Sequence, residues 1–145
     1  PSDVSVLIHL MKDFIEESPI DYPEVDELDC ARWMVNTIGM GGSFVAESDY
    51  RIVGSLGVSA DSFIWNKSHE FLQDEWFYVI PDFRKHGVAK KLLEGAKNLS
   101  KVSKRPFLFS INSGISKTID RFVSINGFQY LGGNLVYGLE GDTDG

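Results

Sequence analysis

Apolar residues in the first forty positions recur every three or four residues, which is the period of an amphipathic helix. Ser2 or Asp3 is placed to cap a first helix, which Ser18–Pro19 ends. A second helix is predicted from Pro23 up to a run of glycines. The apolar positions expected to be buried are Val4, Leu7, Ile8, Met11, Phe14 and Ile15 in the first helix, and Leu28, Ala31, Val35 and Ile38 in the second.

After Gly42 the pattern changes to that of strands. Strands are predicted at 43–47, 51–59 and 70–80, with a polar loop at 60–68. A helix follows Gly87, then a buried strand at 106–111, a helix at 116–125 and a hairpin of strands at 128–131 and 135–139. The order α-α-β-β-β-α-β-α-β-β predicts an α/β fold with helices on the faces of a mixed sheet. We expect a single domain at 1–140 and a flexible tail at 141–145.

Composition and charge narrow the classes of function. The chain has 145 residues, 43% of them hydrophobic, and a formal net charge of −7 from 14 basic and 21 acidic residues. This acidity argues against nucleic acid as a partner and favours an amine-bearing one, or simply keeps the protein in solution. Cys30 is the only cysteine. No apolar run approaches the roughly 20 residues that span a bilayer, so we expect a cytoplasmic protein with no membrane partner.

The junction between the third strand and the next helix carries the clearest chemical signal. It contains Arg84-x-x-Gly87-x-Ala89 directly before the helix. Such a junction aims several free backbone N–H groups at one point, at the positive end of the helix dipole. Gly87 has no Cβ to keep the backbone from an anion, while Arg84, Lys85 and His86 add positive charge or donors. The pattern therefore predicts a site for a diphosphate.

The stretch 77–93, FYVIPDFRKHGVAKKLL, resembles the central motif of the GCN5-related N-acetyltransferase (GNAT) superfamily. In that family an apolar strand ends in V-x-P-x-[YF], [RQ]-x-x-G-x-[GA] follows, and a Leu-rich helix comes next. The element order and Gly127–Phe128 before the terminal hairpin are similar too. The resemblance implies an acetyl-CoA-dependent N-acetyltransferase that moves acetyl to a primary amine by direct transfer in a ternary complex.

The resemblance also implies where acetyl-CoA is held. The pantetheine arm would pair with the third strand in a splay between the third and fourth strands, which a β-bulge usually opens, and the amides of residues 85–90 would hold the pyrophosphate. No metal is expected, since the histidines have no metal-ligand spacing. The implied cofactor-binding residues are Phe77, Tyr78, Val79, Arg84, Lys85, His86, Gly87, Val88, Ala89, Lys90 and Ser116.

Strand alternation selects the candidate base. Strict alternation places Glu75 on one face with Gln73, Phe77 and Val79, and Asp74, Trp76 and Tyr78 on the other. Glu75 is then the carboxylate facing the cleft, unless it is only an exposed strand residue. The family resemblance puts the base on this strand, and some members carry it as Glu at the position of Gln73, which cannot act as one.

The last predicted helix departs from the family pattern. Ser116 stands where the family has an Asn that touches pantetheine, and it could instead be a helix cap. Val123 stands where the family has a Tyr that protonates the thiolate. Water, Tyr130 or Tyr137 could replace that Tyr, and Tyr137 is the candidate acid. The alternatives are a catalytically weak or inactive acyl-CoA-binding interaction module, and a structural domain that binds no CoA.

Two further expectations concern partners. The strand that precedes the first helix in the family is not seen here, and its absence would leave an open sheet edge and favour a homodimer. A small-molecule or peptide amine is the expected acceptor. The resemblance places its recognition in variable loops, at 18–22, at 60–68 and in the terminal hairpin.

Overall fold

The structure is a computed structural model and describes residues 2–110, 127–131 and 137–139. The helix predicted at 116–125 lies outside these residues. Residues 127–131 and 137–139, where parts of the terminal hairpin were predicted, are in neither a helix nor a strand. A single 3₁₀ turn at Pro81–Phe83 precedes the third helix. The other elements are α1 (Val4–Glu17), α2 (Glu27–Met40), β1 (Gly42–Ser48), β2 (Arg51–Phe63), β3 (Asn66–Val79), α3 (Val88–Ser103) and β4 (Phe107–Leu108).

The four strands form one mixed sheet in the order β1-β2-β3-β4. β2 runs antiparallel to both β1 and β3, and α3 carries the chain across to β4, which is parallel to β3. Helices cover both faces. On one face α1 and α2 pack against Trp76 and Tyr78, and on the other α3 packs against Leu56 and Val79. The predicted α/β architecture is confirmed in this part of the chain.

The second helix differs from its prediction in start and phase. α2 begins at Glu27 rather than near Pro23, because Asp26 caps it by accepting the N–H of Asp29 at 2.9 Å. Its buried residues are Cys30, Met34 and Thr37. The predicted stripe is wrong at Leu28 and Val35, which are exposed. The helix carries two apolar stripes, and packing against the sheet decides between them. In α1, the Asp3 side chain makes no cap hydrogen bond.

The polar loop predicted at 60–68 is wrong. β2 and β3 continue through it as a long hairpin whose strands pair as far as Phe63 and Asn66. Its aromatic rings hold the end of the ribbon, since Phe63 lies 5.2 Å from Trp65 and 4.8 Å from Phe71, centroid to centroid. Cross-strand aromatic pairs of this kind stabilise the two-stranded ribbon. The polar residues around them give the same segment the sequence pattern of a loop.

Gly57 lies opposite Trp76 in the β2–β3 pair, and a Cβ there would sit 2.5 Å from the indole ring. The indole N–H donates to the Ser55 hydroxyl at 2.9 Å, which limits how far the ring can move. We expect Gly57→Ala to lower the free energy of unfolding by about 1–3 kcal/mol through overpacking. Urea denaturation measures this. Gly39→Ala is the control, because a Cβ on Gly39 meets nothing within 4 Å, and equal losses for the two variants would contradict this packing.

Candidate functional site

A bulge in β3 sets the direction of every side chain around the candidate site. Gly57 pairs with Trp76 while the next residue of β2, Val58, pairs with Asp74, so Glu75 is an extra residue in the ladder. A bulge shifts the alternation by one. As a result Leu72 packs on the same side as Val79, against α3, although the two are an odd number of residues apart.

The bulge corrects the predicted direction of Glu75. The prediction that Glu75 shares a face with Phe77 and Val79 is wrong, because Glu75 turns towards α2. There its carboxylate accepts the indole N–H of Trp33 at 3.0 Å and the hydroxyl of Ser59. Trp33 in turn packs edge-on against Trp76, at 5.2 Å between centroids. The carboxylate is therefore fixed between α2 and the sheet.

Asp74, which strict alternation excluded, lies next to the end of the described β3–β4 ladder. The described β3–β4 ladder consists of Leu72–Phe107 and Gln73–Leu108. Directly beyond it, the Asp74 carboxylate accepts the backbone N–H of Ser110 at 2.8 Å. Burial raises the pKa of Asp74 to about 6, against the opposing effect of that hydrogen bond. The sequence contained this carboxylate, but only knowledge of the bulge could have pointed to it.

Asp74→Asn is expected to stabilise the folded protein at neutral pH. The pKa of Asp74 is raised from 3.8 to about 6, so the folded state binds this proton more tightly than the unfolded chain. Stability is thus lost as pH rises between these values, and above them the ionised carboxylate costs about 3 kcal/mol. Asn still accepts from Ser110 without that cost. Urea unfolding should show the gain at pH 7 and little of it at pH 4. Parallel pH dependence of the variant and the wild type would contradict burial of this carboxylate.

The end of β3 is held from both sides. The Ile80 N–H donates to the Val53 carbonyl at 2.9 Å, and the Val79 carbonyl accepts Nε of Arg84 at 2.9 Å. The N–H and the C=O of one strand residue point to the same side. The Val79 N–H therefore faces away from β2, towards the edge of β3 on which β4 lies. The family resemblance implies that Val79 binds the cofactor through its backbone.

The loop from Arg84 to Lys90 presents its backbone to solvent. Lys85 and Gly87 both have left-handed backbones, with φ of 69° and 78°. α3 starts at Val88, and the Gly87 carbonyl accepts the N–H of Lys91 at 3.1 Å. Among the described residues, the amides of 85–90 donate no backbone hydrogen bond outside α3. A Cβ built on Gly87 meets no heavy atom within 4 Å. Amides without a backbone acceptor at a helix N-terminus suit an anion.

The side chains of the predicted cofactor residues are distributed differently. Lys85, His86 and Lys90 are exposed around the loop, and Val88 and Ala89 are half-buried in the first turn of α3. The Phe77 ring packs edge-on against Phe109 at 5.2 Å, on the α3 side. The Tyr78 ring is buried on the opposite side. Only backbone contacts could unite these strand residues along one ligand.

The candidate acid is not brought to this site by any described contact. Tyr137 is fully exposed. Ser116 and Val123 lie outside the described residues. Within residues 2–110 and the short C-terminal stretches described, no three His, Cys, Asp or Glu side chains cluster as metal ligands would. None of the described helices has the length and hydropathy to cross a membrane.

In the described part of the chain, the bulged strand β3 ends directly before a loop of amides that have no backbone acceptor outside α3. Residues 40–129 match the family model described as an acetyltransferase (GNAT) domain. The chain therefore belongs to the GNAT acetyltransferase family. No curated protein sequence matches the chain.

Solved structures of low sequence identity share the fold. A predicted acetyltransferase from Clostridium acetobutylicum, solved with acetyl-CoA, has 19% identity and a TM-score of 0.72, covering 94% of this chain and 90% of its own. AAC(6′)-Iy, in complex with the bisubstrate analogue CoA-S-monomethyl-acetylneamine, has 19% identity and a TM-score of 0.70 over the same shares. The aminoglycoside 6′-N-acetyltransferase AAC(6′)-IG from Acinetobacter haemolyticus has 18% identity and a TM-score of 0.63, covering 98% and 97%.

Proposed function

We propose that this protein moves an acetyl group from acetyl-CoA to a primary amine, by direct transfer in a ternary complex. The observation that carries the proposal is the loop at residues 85–90, whose amides have no backbone acceptor outside α3, directly after the end of β3. Family membership and the acetyl-CoA and CoA complexes among proteins of the same fold support it. The cytoplasmic location and the homodimer stay predictions.

The loop and the strand suit the two halves of the donor. The amides of residues 85–90 would hold the pyrophosphate, with exposed Lys85, His86 and Lys90 near the adenosine phosphate end. The pantetheine arm would lie along β3, where the described ladder with β4 has ended. The outward N–H of Val79 would then donate to the thioester carbonyl oxygen and stabilise the negative charge that develops there.

The reaction also requires a residue that accepts the proton released by the amine. The amine nitrogen attacks the thioester carbon, the carbon–sulfur bond breaks, CoA leaves as its thiolate, and the amine gives up a proton. We propose Asp74 as the acceptor of that proton in place of Glu75, because Asp74 lies next to the end of the described β3–β4 ladder and has a pKa of about 6. Glu75 is already engaged by Trp33 and Ser59. A thiol with a pKa of about 8.5 can leave as its thiolate without a dedicated acid.

The second candidate is an acyl-CoA-binding module that no longer turns over. Two observations favour it: Val123 stands where the family has its Tyr, and Tyr137 is exposed to solvent rather than turned to the site. As acceptors, small-molecule amines have the best support, because neighbours of this fold are named as aminoglycoside acetyltransferases. The formal charge of −7 also favours a cationic acceptor.

Two measurements on the same protein separate these functions. The melting temperature with and without CoA tests binding, and release of free CoA thiol from acetyl-CoA tests transfer. The amine panel contains an aminoglycoside, a polyamine, a lysine peptide and a peptide with a free N-terminus, and the amine-free rate is subtracted. We expect stabilisation by CoA and amine-dependent thiol release. Stabilisation without release by any amine would favour the binding module, and no stabilisation would contradict both.

A further inference from the structure

Three side chains from distant parts of the chain meet at the C-terminal end of α1, beside the loop of free amides. We call Glu17, Tyr78 and Arg84 the Glu17 clamp. The Arg84 guanidinium donates from Nη1 to Glu17 Oε1 and from Nη2 to Glu17 Oε2, the latter at 2.7 Å. The Tyr78 hydroxyl donates to Glu17 Oε2 at 3.0 Å. Arg84 also lies over the Tyr78 ring, 5.3 Å from its centroid.

Arg84 is exposed but is held through its backbone as well as its side chain. Its N–H donates to the Pro81 carbonyl at 3.1 Å, and its Nε donates to the Val79 carbonyl at 2.9 Å. Together with the two bonds to Glu17, these contacts fix the residue that directly precedes the left-handed Lys85. The side chain therefore does not point into the loop, although the family pattern begins at this residue.

The charges within the clamp support one another. The hydrogen bond from Arg84 holds the pKa of Glu17 below its usual range, so Glu17 is ionised at neutral pH. Burial and the hydrogen bond to Glu17 raise the pKa of Tyr78 to about 12, so its hydroxyl remains a donor. A planar guanidinium that binds a carboxylate through two nitrogens has a fixed orientation, which an ammonium would lack.

We propose that Glu17 is a positioning residue for acetyl-CoA: it holds Arg84, which fixes the Val79 peptide and the entrance of loop 85–90, so that the pyrophosphate amides converge before the ligand arrives. This inference rests on the proposed function. It assigns to Arg84 an indirect role in place of direct contact with phosphate. Because Glu17 is the last residue of α1, the clamp also ties the donor loop to the start of the 18–22 connection, where the acceptor is expected.

The test is the dissociation constant for CoA, measured by calorimetry on the full chain. Glu17→Gln keeps the shape but removes the charge that holds Arg84, and we expect CoA to bind about fivefold more weakly. Glu17→Asp keeps the charge and should recover part of the loss. In the double variant Glu17→Gln/Arg84→Gln, binding should be no weaker than in Arg84→Gln alone, since both changes release the same loop.

A matched control and a second readout separate positioning from general stability. Lys12, also a residue of α1, forms an exposed ion pair with Glu27. Lys12→Gln removes this ion pair, and CoA binding should not change. Amide hydrogen exchange without ligand should be faster at residues 85–90 in Glu17→Gln than in the wild type, while the melting temperatures stay close. If Glu17 had a purely structural role, Glu17→Gln would lower the melting temperature. Hydrogen exchange at residues 85–90 would then increase no more than exchange in the rest of the protein.

The outcomes distinguish this inference from the function on which it rests. If wild-type protein does not bind CoA, the proposed function fails and the inference fails with it. If wild-type protein binds CoA and Glu17→Gln binds it equally well, only the positioning role is overturned. If Glu17→Gln binds CoA more tightly while Arg84→Gln loses it, Arg84 contacts the phosphate directly and the clamp competes with binding, which also overturns the inference.

Discussion

Gly87→Glu is expected to weaken CoA binding by about 100-fold or more. The left-handed backbone of Gly87 (φ 78°) gives the loop its concave form, and a non-glycine residue is strained there. A carboxylate at this point would also repel the pyrophosphate and displace it from the loop amides. Losing two charge-assisted hydrogen bonds of about 1.5 kcal/mol each accounts for a change of this size. Calorimetric titration with CoA measures it.

Two companion variants separate charge from backbone strain. Gly39→Glu adds the same charge at an exposed position of α2 where a Cβ has open space, and CoA binding should be unchanged. Gly87→Asn adds a side chain without charge, and Asn tolerates the left-handed region, so its loss should be intermediate. Wild-type affinity in Gly87→Glu would mean that the ligand does not approach this loop.

Asp74→Asn is expected to lower kcat/KM for acetyl transfer by about 100-fold, the usual contribution of a general base. Asn still accepts the Ser110 N–H, so this contact between β3 and the chain after β4 should persist and CoA should bind as before. The pH profile is the more specific readout. In the wild type kcat/KM should rise through an apparent pKa of about 6, and Asp74→Asn should lose that limb. The assay is thiol release with whichever amine of the panel reacts.

Glu75→Gln is the matched control, because it makes the same chemical change one residue along the same strand. Gln can still accept from Trp33, so we expect the fold to be retained and kcat/KM to change little. The reverse pattern, with activity lost in Glu75→Gln and kept in Asp74→Asn, would return the role of base to Glu75. The shared loss of activity in both variants would contradict the assignment of one base.

The donor loop could be predicted from sequence because its determinants are local. Gly87 for the left-handed turn, the free amides of a helix start and the apolar face of α3 all lie within one short stretch. The helix predicted after Gly87 is confirmed as α3, and its buried residues are Leu92, Leu93 and Ala96. Local signals of this kind do not depend on which strand lies next to which.

The direction of side chains on β3 depended on a partner strand that the sequence does not reveal. The bulge at Glu75 exists only in the pairing with β2, and it exchanged the faces of Asp74 and Glu75. The buried face of α2 was predicted incorrectly for a similar reason. Packing against the sheet buries Met34 and leaves Val35 exposed. The Glu17 clamp joins residues 61 and 67 positions apart, which periodicity within a single element cannot detect.

An ¹⁵N-resolved NMR titration tests most directly whether the amides of residues 85–90 hold the pyrophosphate of acetyl-CoA. CoA and pantetheine, which lacks the diphosphate, are added to separate samples of assigned protein. We predict that CoA shifts the amide resonances of residues 85–90 strongly and that pantetheine does not, while Val79 responds to both. Saturable CoA binding that leaves the amide resonances of residues 85–90 unshifted, or no CoA binding at all, would contradict a pyrophosphate site at this loop.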